Sequence, residues 1–379
     1  MQVASSLPQS ARSLELEKRL RAAIARDGPI PLARFMERAL YDLEFGYYSA
    51  GPLPWGTDAD YVTAPQVHPA LGESLARLAM ELDDALGRPN PFALVEVGSG
   101  NGQLARAVLA AIERAAPGLW ERLSFASVER GAAARAAQAD LPVPGAGVHV
   151  ESELPPSGAS LRGLVYANEL FDAFPVHRVR RGGGALLEAH VDATTEGFVE
   201  RYLEPSTGAL EQYVADNVVE LSDGQVAEIC LQVEPWLRRL NGVLDAGGML
   251  AIDYGHSTQA LYGPSRRSGT LVAQRRFELF DDVLSHPGDR DLTAHVDFGN
   301  LQRVGEALDM FWAGRCSLRV FLIGMGATAT REQEPLQARL ALRHLLVSEI
   351  ADAHSVALLC KGLDDESPVF GRARLEAPA

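Results

Sequence analysis

Two short stretches hold polar residues whose types and spacing could do chemistry. In Glu96-Val97-Gly98-Ser99-Gly100-Asn101-Gly102 a carboxylate precedes three alternating glycines, and Asn168-Glu169-Leu170-Phe171-Asp172 brings an amide and two carboxylates close together. Alternating glycines let a backbone approach a ligand with no Cβ in the way, and the N–H groups opening a following helix form a polar cradle. Carboxylates beside Phe171, Phe174 and Pro175 are costly to bury unless they hold something polar. A further acid, Glu129, ends the alternating run Leu123-Ser124-Phe125-Ala126-Ser127-Val128. An acid at that point is where doubly wound sheets hold the two hydroxyls of a ribose. Later in the chain, His295 and Asp297 lie in a connection too polar for a spacer. His295 could take a proton or bridge loop backbone, and this pair alone makes no metal set.

These groups need a sheet to gather them. The run Phe92 to Val97 is apolar with β-branched valines, and beyond the glycines Leu104, Val108, Leu109 and Ile112 recur at helical spacing. That pattern predicts strand, tight loop, helix. Leu123–Val128, a run from Leu164 and another from Gly247 read as further strands, delivering Glu129, Asn168-Glu169 and Asp253-Tyr254 at their carboxyl ends, where open α/β sheets bind ligands. Before the sheet, helices are expected over Leu14–Ala25 and Leu32–Tyr41, and Pro69 opens another from Ala70 to about Leu86. After it, residues 185–220 alternate around turns and read as strands, a helix is expected from Gln225 to Val243, another near Glu334 to Ile350, and a strand from His354 to Cys360. The expected organisation is a helical cap and substrate-side loop over 1–90, a sheet domain over 91–184 and 225–379, and an inserted α+β segment over 185–224.

Composition narrows the partners. The chain has 379 residues, 47% hydrophobic and 22% charged, enough for a sizeable core, and its net charge of −15 with no basic cluster argues against nucleic acid or an anionic membrane. A basic or neutral substrate is electrostatically easier. The three cysteines are far apart, giving neither a disulfide framework nor metal-ligand spacing, so a reducing compartment, the cytoplasm, is expected. No apolar run approaches a membrane span, and the first residues read as a short tail rather than a targeting peptide. A homodimer is a further expectation.

The glycine spacing bears on the ligand. A dinucleotide loop wants Gly-x-Gly-x-x-Gly or Ala directly after the strand; counting from Gly98, Gln103 fails, and counting from Gly100 satisfies the third position with Ala105 but leaves Gly98 without a role. An acid near the strand end followed by Gly-x-Gly-x-Gly is instead the pattern of class I S-adenosylmethionine (SAM) methyltransferases, with Glu96 as the acid.

Longer strings carry a more specific resemblance. Phe35-Met36-Glu37-Arg38-Ala39-Leu40-Tyr41, Gly46-Tyr47-Tyr48, Val62-Thr63-Ala64-Pro65, the glycine loop, Asn168-Glu169-Leu170-Phe171-Asp172-Ala173-Phe174-Pro175-Val176, Ile252-Asp253-Tyr254-Gly255, Gly269-Thr270-Leu271 and Asp291-Leu292-Thr293-Ala294-His295-Val296-Asp297-Phe298 follow one another in the order of the MidA/NDUFAF7 family, which the chain resembles. The resemblance implies a class I methyltransferase Rossmann-like sheet with an N-terminal helical cap and an inserted subdomain, SAM as cofactor, and, from the mitochondrial branch, an arginine side chain of a protein as methyl acceptor. On that fold the residues read above put the cofactor on Glu96, Gly98, Ser99, Gly100, Asn101, Gly102, Glu129 and Asn168, and the acceptor chemistry on Asn168, Glu169, Asp172 and His295. The chain departs from the family where Gln66 stands for an acid, His68 for a serine, and Ile350-Ala351-Asp352 for a Met-Gly before the last strand. The Gln66 and His68 changes keep open a small-molecule O- or N-methyltransferase; a SAM-binding assembly factor without turnover is the other alternative, against which the intact Glu96, Gly98, Gly100, Gly102, Glu129 and Asn168-Glu169 argue.

Overall fold

The Phe92–Val97 strand is buried at every position because a parallel strand flanks it on each side: Leu123–Val128 on one, Leu161–Asn168 on the other. Its unbroken apolar run is what a strand covered on both faces requires. In the computed structural model, which describes residues 8–50, 68–144, 149–155, 158–328 and 334–363, an eight-stranded mixed sheet grows outward from this strand. Leu123–Val128 is followed by the short edge strand His149–Glu151, also parallel. On the other side Leu161–Asn168 pairs in parallel with Leu244–His256, which pairs antiparallel with His354–Lys361, and that strand with Phe311–Ser317. Val296–Asp297 adds a short parallel pairing to the end of Leu244–His256. Because the chain leaves Phe92–Val97 in one direction and returns on its other side, the order reverses there, and the crevice at the carboxyl ends is the expected ligand position. The α/β class read from the sequence is the observed one.

The helices Ala70–Ala85 and Gln103–Ala115 pack here through Leu71, Leu75, Leu78, Leu104, Val108 and Ile112, all essentially buried. This sheet unit takes its described residues from within Trp55–Asp172, Gln232–Leu261 and His295–Ala379. None of the described helices is long and apolar enough to cross a membrane.

A second unit draws on Met1–Pro54, Ala173–Leu231 and Tyr262–Ala294. Its sheet runs Ile30–Pro31, Ala185–Ala193, His177–Gly182, Val226–Ile229, with Phe198–Leu203 paired to Ala185–Ala193. The boundaries drawn at residues 90, 185 and 225 are therefore redrawn. Ile30 pairs with Val191, and Leu16, Leu20, Phe35 and Met36 share one buried cluster with Val191, Ala273 and Leu292, so the N-terminal helices and the inserted strands make a single core. Helix Ala70–Ala85, placed in the cap by sequence, packs in the sheet unit instead.

One local expectation also changes. The helix expected from Gln225 is a strand, Val226–Ile229, followed by a shorter helix, Val233–Asn241; pairing with His177–Gly182 outweighs helix propensity there. Within 185–220, whose alternation reads as strands inside an α+β insertion, Ala209–Asp216 is the helical part.

Candidate functional site

The glycine loop takes a path that side chains would obstruct. Gly98, Gly100 and Gly102 have φ of 71°, 55° and 75°, the left-handed region that glycine enters without steric cost. A Cβ at Gly98 would lie 2.9 Å from Leu170 Cδ1, and one at Gly102 would lie 2.9 Å from Gln138 Cγ. The loop is braced from below. Ser127 Oγ donates to Gln138 Oε1 at 2.6 Å, Ser99 and Ser127 hydroxyls meet at 2.5 Å, and Gln138 Nε2 donates to Ser99 Oγ at 2.8 Å and to Gly100 O at 2.7 Å. The Ser99 side chain thus serves the loop itself. Asn101 Oδ1 accepts the Gln103 N–H at 3.2 Å and so helps open helix Gln103–Ala115.

Glu96 and Glu129 reach this loop from two strands. Glu129 is 9% exposed; its Oε2 accepts the Gly100 N–H at 2.9 Å and its Oε1 the Gly131 N–H at 2.7 Å. A carboxylate oxygen has two acceptor positions, so each keeps one for a ligand hydroxyl. Burial pushes the Glu129 carboxyl up, and the Gly131 and Gly100 amides pull it back only in part. Glu96 is 3% exposed and accepts from Tyr166 Oη at 3.2 Å. Burial raises its carboxyl to about 8, against the lowering effect of Tyr166 and with the Glu129 charge adding to the rise. Glu96 therefore stands beneath the loop as a buried acid, with the Ala105 backbone N–H as a further partner.

The second group forms where Leu161–Asn168 ends. Leu170, which closes over Gly98, joins this turn to the glycine loop. Glu169 has φ of 52°, an uncommon conformation for a residue with a Cβ, and its N–H donates to Ile252 O at 2.8 Å. The turn after it is held by Asp253, fully buried, whose Oδ2 accepts the N–H groups of Leu170, Phe171 and Asp172 at 3.1, 2.8 and 3.3 Å. Burial, with the nearby Glu169 charge, raises the Asp253 carboxyl despite these donors. Asn168 Nδ2 donates to Glu169 Oε1 at 3.3 Å. Asn168 Oδ1 is buried and has no hydrogen-bond partner among the described residues.

Tyr254 stands between histidines. Its ring centroid lies 3.8 Å from that of His354 and 6.4 Å from that of His295, and His295 Nδ1 is 3.1 Å from His256 Nε2. The Tyr254 phenol is pushed above its ordinary range by burial first, then by the charges of Glu169, Asp172 and Asp253. Asp297 is taken up elsewhere, accepting from Asn300 N–H at 3.0 Å and Thr258 Oγ1 at 2.6 Å as the cap of helix Phe298–Ala307. His68, one of the departures from the family pattern, is 3% exposed and accepts the Ala70 N–H on Nδ1 at 3.0 Å, which places it at the start of helix Ala70–Ala85. Gln66, the other departure in that segment, lies outside the described residues.

All the expected site residues thus fall in the sheet unit, in two adjoining groups. Sequence reasoning missed Gln138, Ser127, His354 and the clasp made by Asp253. Ser127 left a signal, a polar residue on the inward side of an alternating strand; His354 left none, because its neighbours come from distant segments.

The residues present fit a nucleoside sulfonium carrying an amino-acid tail. Gly98, Gly100 and Gly102 at positive φ form the tight loop ahead of helix Gln103–Ala115, the two Glu129 oxygens suit a diol, and the orphaned Asn168 Oδ1 suits a donor such as an ammonium group.

Residues 74–315 match a family model described as "Putative S-adenosyl-L-methionine-dependent methyltransferase". A Drosophila melanogaster protein named protein arginine methyltransferase NDUFAF7 homolog, mitochondrial, is 29% identical over 87% of this chain and 79% of its own length. The Homo sapiens protein arginine methyltransferase NDUFAF7, mitochondrial, is 26% identical over 80% and 71% respectively. A crystal structure from Burkholderia thailandensis, bound to S-adenosyl-homocysteine, has 30% identity and a TM-score of 0.86, covering 97% of this chain and 98% of that one.

Proposed function

Because the chain belongs to this family of S-adenosyl-L-methionine-dependent methyltransferases, we propose that it transfers a methyl group to an arginine side chain of a protein, with Glu169 and Asp172 holding the guanidinium. The observation that carries the reading is the placing of Glu169 and Asp172 near the Tyr254 phenol, two carboxylates at the strand ends that suit a cation. The names of the Drosophila and human relatives support the same acceptor.

The bound cofactor supplies a methyl group on a sulfonium, which leaves by in-line displacement. The protein need provide no covalent nucleophile; it must align the acceptor and manage one proton. Glu129 and the glycine loop would hold its nucleoside end, and Asn168 Oδ1 would take a donor from its amino-acid end. A guanidinium is charged at neutral pH and its nitrogen lone pair is delocalised, so Glu169 and Asp172 must hold it together, each accepting one arm of its forked N–H donors. As the new N–C bond forms, the nitrogen gives up its proton to a carboxylate at the strand end. His295, which stacks on Tyr254, is the residue assigned to carry that proton onward.

Glu169→Gln tests the assignment, since it keeps shape and reach while removing the charge. Turnover should fall steeply while SAM affinity and melting temperature hardly move. Parallel loss of SAM affinity would put Glu169 in the cofactor pocket, and early melting would make it structural.

A further inference from the structure

His354 opens the strand His354–Lys361 directly opposite Tyr254, just after the Ile350-Ala351-Asp352 segment where the chain leaves the family pattern. It is 1% exposed. Its Nδ1 lies 2.8 Å from Ile350 O, and a carbonyl can only accept, so Nδ1 carries a proton. That leaves Nε2 aimed at Glu169 Oε1 from 3.5 Å, buried and with no hydrogen bond among the described residues. A neutral ring would turn a lone pair toward a carboxylate there, whereas a protonated ring turns an N–H. Burial works against that charge, but Glu169, the Ile350 carbonyl and Asp253 outweigh it, and His354 titrates above the ordinary histidine range.

Glu169 shows the other half of the arrangement. Among the described residues its carboxylate meets the Asn168 amide and His354, and both address Oε1. Among the described residues Oε2 has no partner. Two donors converging on one oxygen fix the rotation of the group, and the left-handed backbone at Glu169 fixes where the side chain starts.

We propose that His354 is a positioning residue for methyl transfer, holding Glu169 by Oε1 so that Oε2 is presented to a cationic acceptor. This rests on the reading of Glu169 as an acceptor-binding carboxylate. The groups that face the ring are Glu169 from the turn, Asp253 and Tyr254 from the neighbouring strand, and the Ile350 carbonyl from helix Glu349–Ala353. Asp352 on that helix is engaged by Arg319 at 2.6 Å in an exposed pair, and Arg315 on the Phe311–Ser317 strand donates to Ser355 Oγ at 3.2 Å, so neither supplies a competing partner to Nε2. As pH rises through the His354 value the ring loses its charge and its hold on Oε1, so acceptor use should weaken on the alkaline side.

Two measurements test this on the full chain. Histidine ring NMR on uniformly labelled protein should show His354 protonated above the ordinary range in the wild type, with its titration moving down in Glu169→Gln; a titration indifferent to that change overturns the pairing. Transfer of label from methyl-labelled SAM to lysate protein, at saturating SAM, gives the second. His354→Phe keeps a ring but no donor, and apparent kcat/KM should fall roughly tenfold or more with SAM affinity unchanged. His354→Gln restores a neutral donor, so it should recover much of the rate at neutral pH and lose the alkaline fall. If His354→Phe melts early, His354→Gln decides: an alkaline fall identical to wild type overturns the proposal. Lost turnover in Glu169→Gln with wild-type rates in both His354 variants overturns this inference alone, whereas wild-type turnover in Glu169→Gln overturns the reading of Glu169 and this inference with it.

Discussion

Glu129 Oε2 accepts the backbone N–H of Gly100 at 2.9 Å, so the carboxylate assigned to the ribose also shapes the loop that cradles the rest of the cofactor. The two duties separate by substitution. Glu129→Ala removes both and should weaken SAM binding about tenfold to a hundredfold, since hydrogen bonds to a charged group contribute about 1.5–3 kcal/mol each. Glu129→Gln keeps one acceptor oxygen but turns an amide donor toward one of the two N–H groups, and should fall between wild type and alanine. Isothermal titration with SAM checks both, and an unchanged affinity for Glu129→Ala would remove Glu129 from the cofactor site.

Glu96 gives stability a pH dependence whose sign is fixed. Its folded-state value, about 8, lies above the ordinary 4.5, so the folded protein binds the extra proton between those limits. The stability that Glu96 contributes is whole below the ordinary value and is lost as pH rises through about 8. Glu96→Gln supplies a permanently neutral acceptor for Tyr166 Oη. Melting temperature should therefore decline from pH 5 to about 9 more steeply in wild type than in Glu96→Gln, with the variant the more stable at the alkaline end. Parallel melting curves across that range would mean Glu96 is ionised in the folded protein.

Asp253 closes the turn that carries Glu169 and Asp172 by accepting three successive N–H groups on one oxygen. In Asp253→Asn the amide nitrogen must face either these donors or the Tyr254 N–H, which now reaches Oδ1 at 2.9 Å. A buried donor then meets another donor, and the loss should be about 2–3 kcal/mol in denaturant unfolding. Turnover should fall further than SAM affinity, because the carboxylates proposed to hold the acceptor lie in the affected turn. A variant with wild-type stability and rate would show that the turn holds itself.

How far the site could be read from sequence follows from how locally each part is encoded. The glycine loop, Glu129 and Asn168-Glu169 were legible because strand, turn and helix signals lie within a few residues of the polar groups they deliver. Gln138 was not: nothing near it announces that its amide reaches back to Ser99 and Gly100. His354 was read as the start of a strand, and its pairing with Glu169 depends on Leu244–His256 lying between their two strands. The same limit explains the fold. Val226–Ile229 reads as helix in the sequence because its partner, His177–Gly182, is distant, and the cap reads as separate from the insertion because Ile30 and Val191 give no local sign of pairing.

The central claim, methyl transfer from SAM to protein arginine, is tested most directly by incubating the purified protein with methyl-labelled SAM and lysate of the source cells, then hydrolysing the protein fraction to amino acids. Label recovered as methylarginine, and absent when Glu169→Gln replaces the wild type, is the predicted result. Label confined to small molecules, or no transfer by a protein that binds SAM, would contradict it.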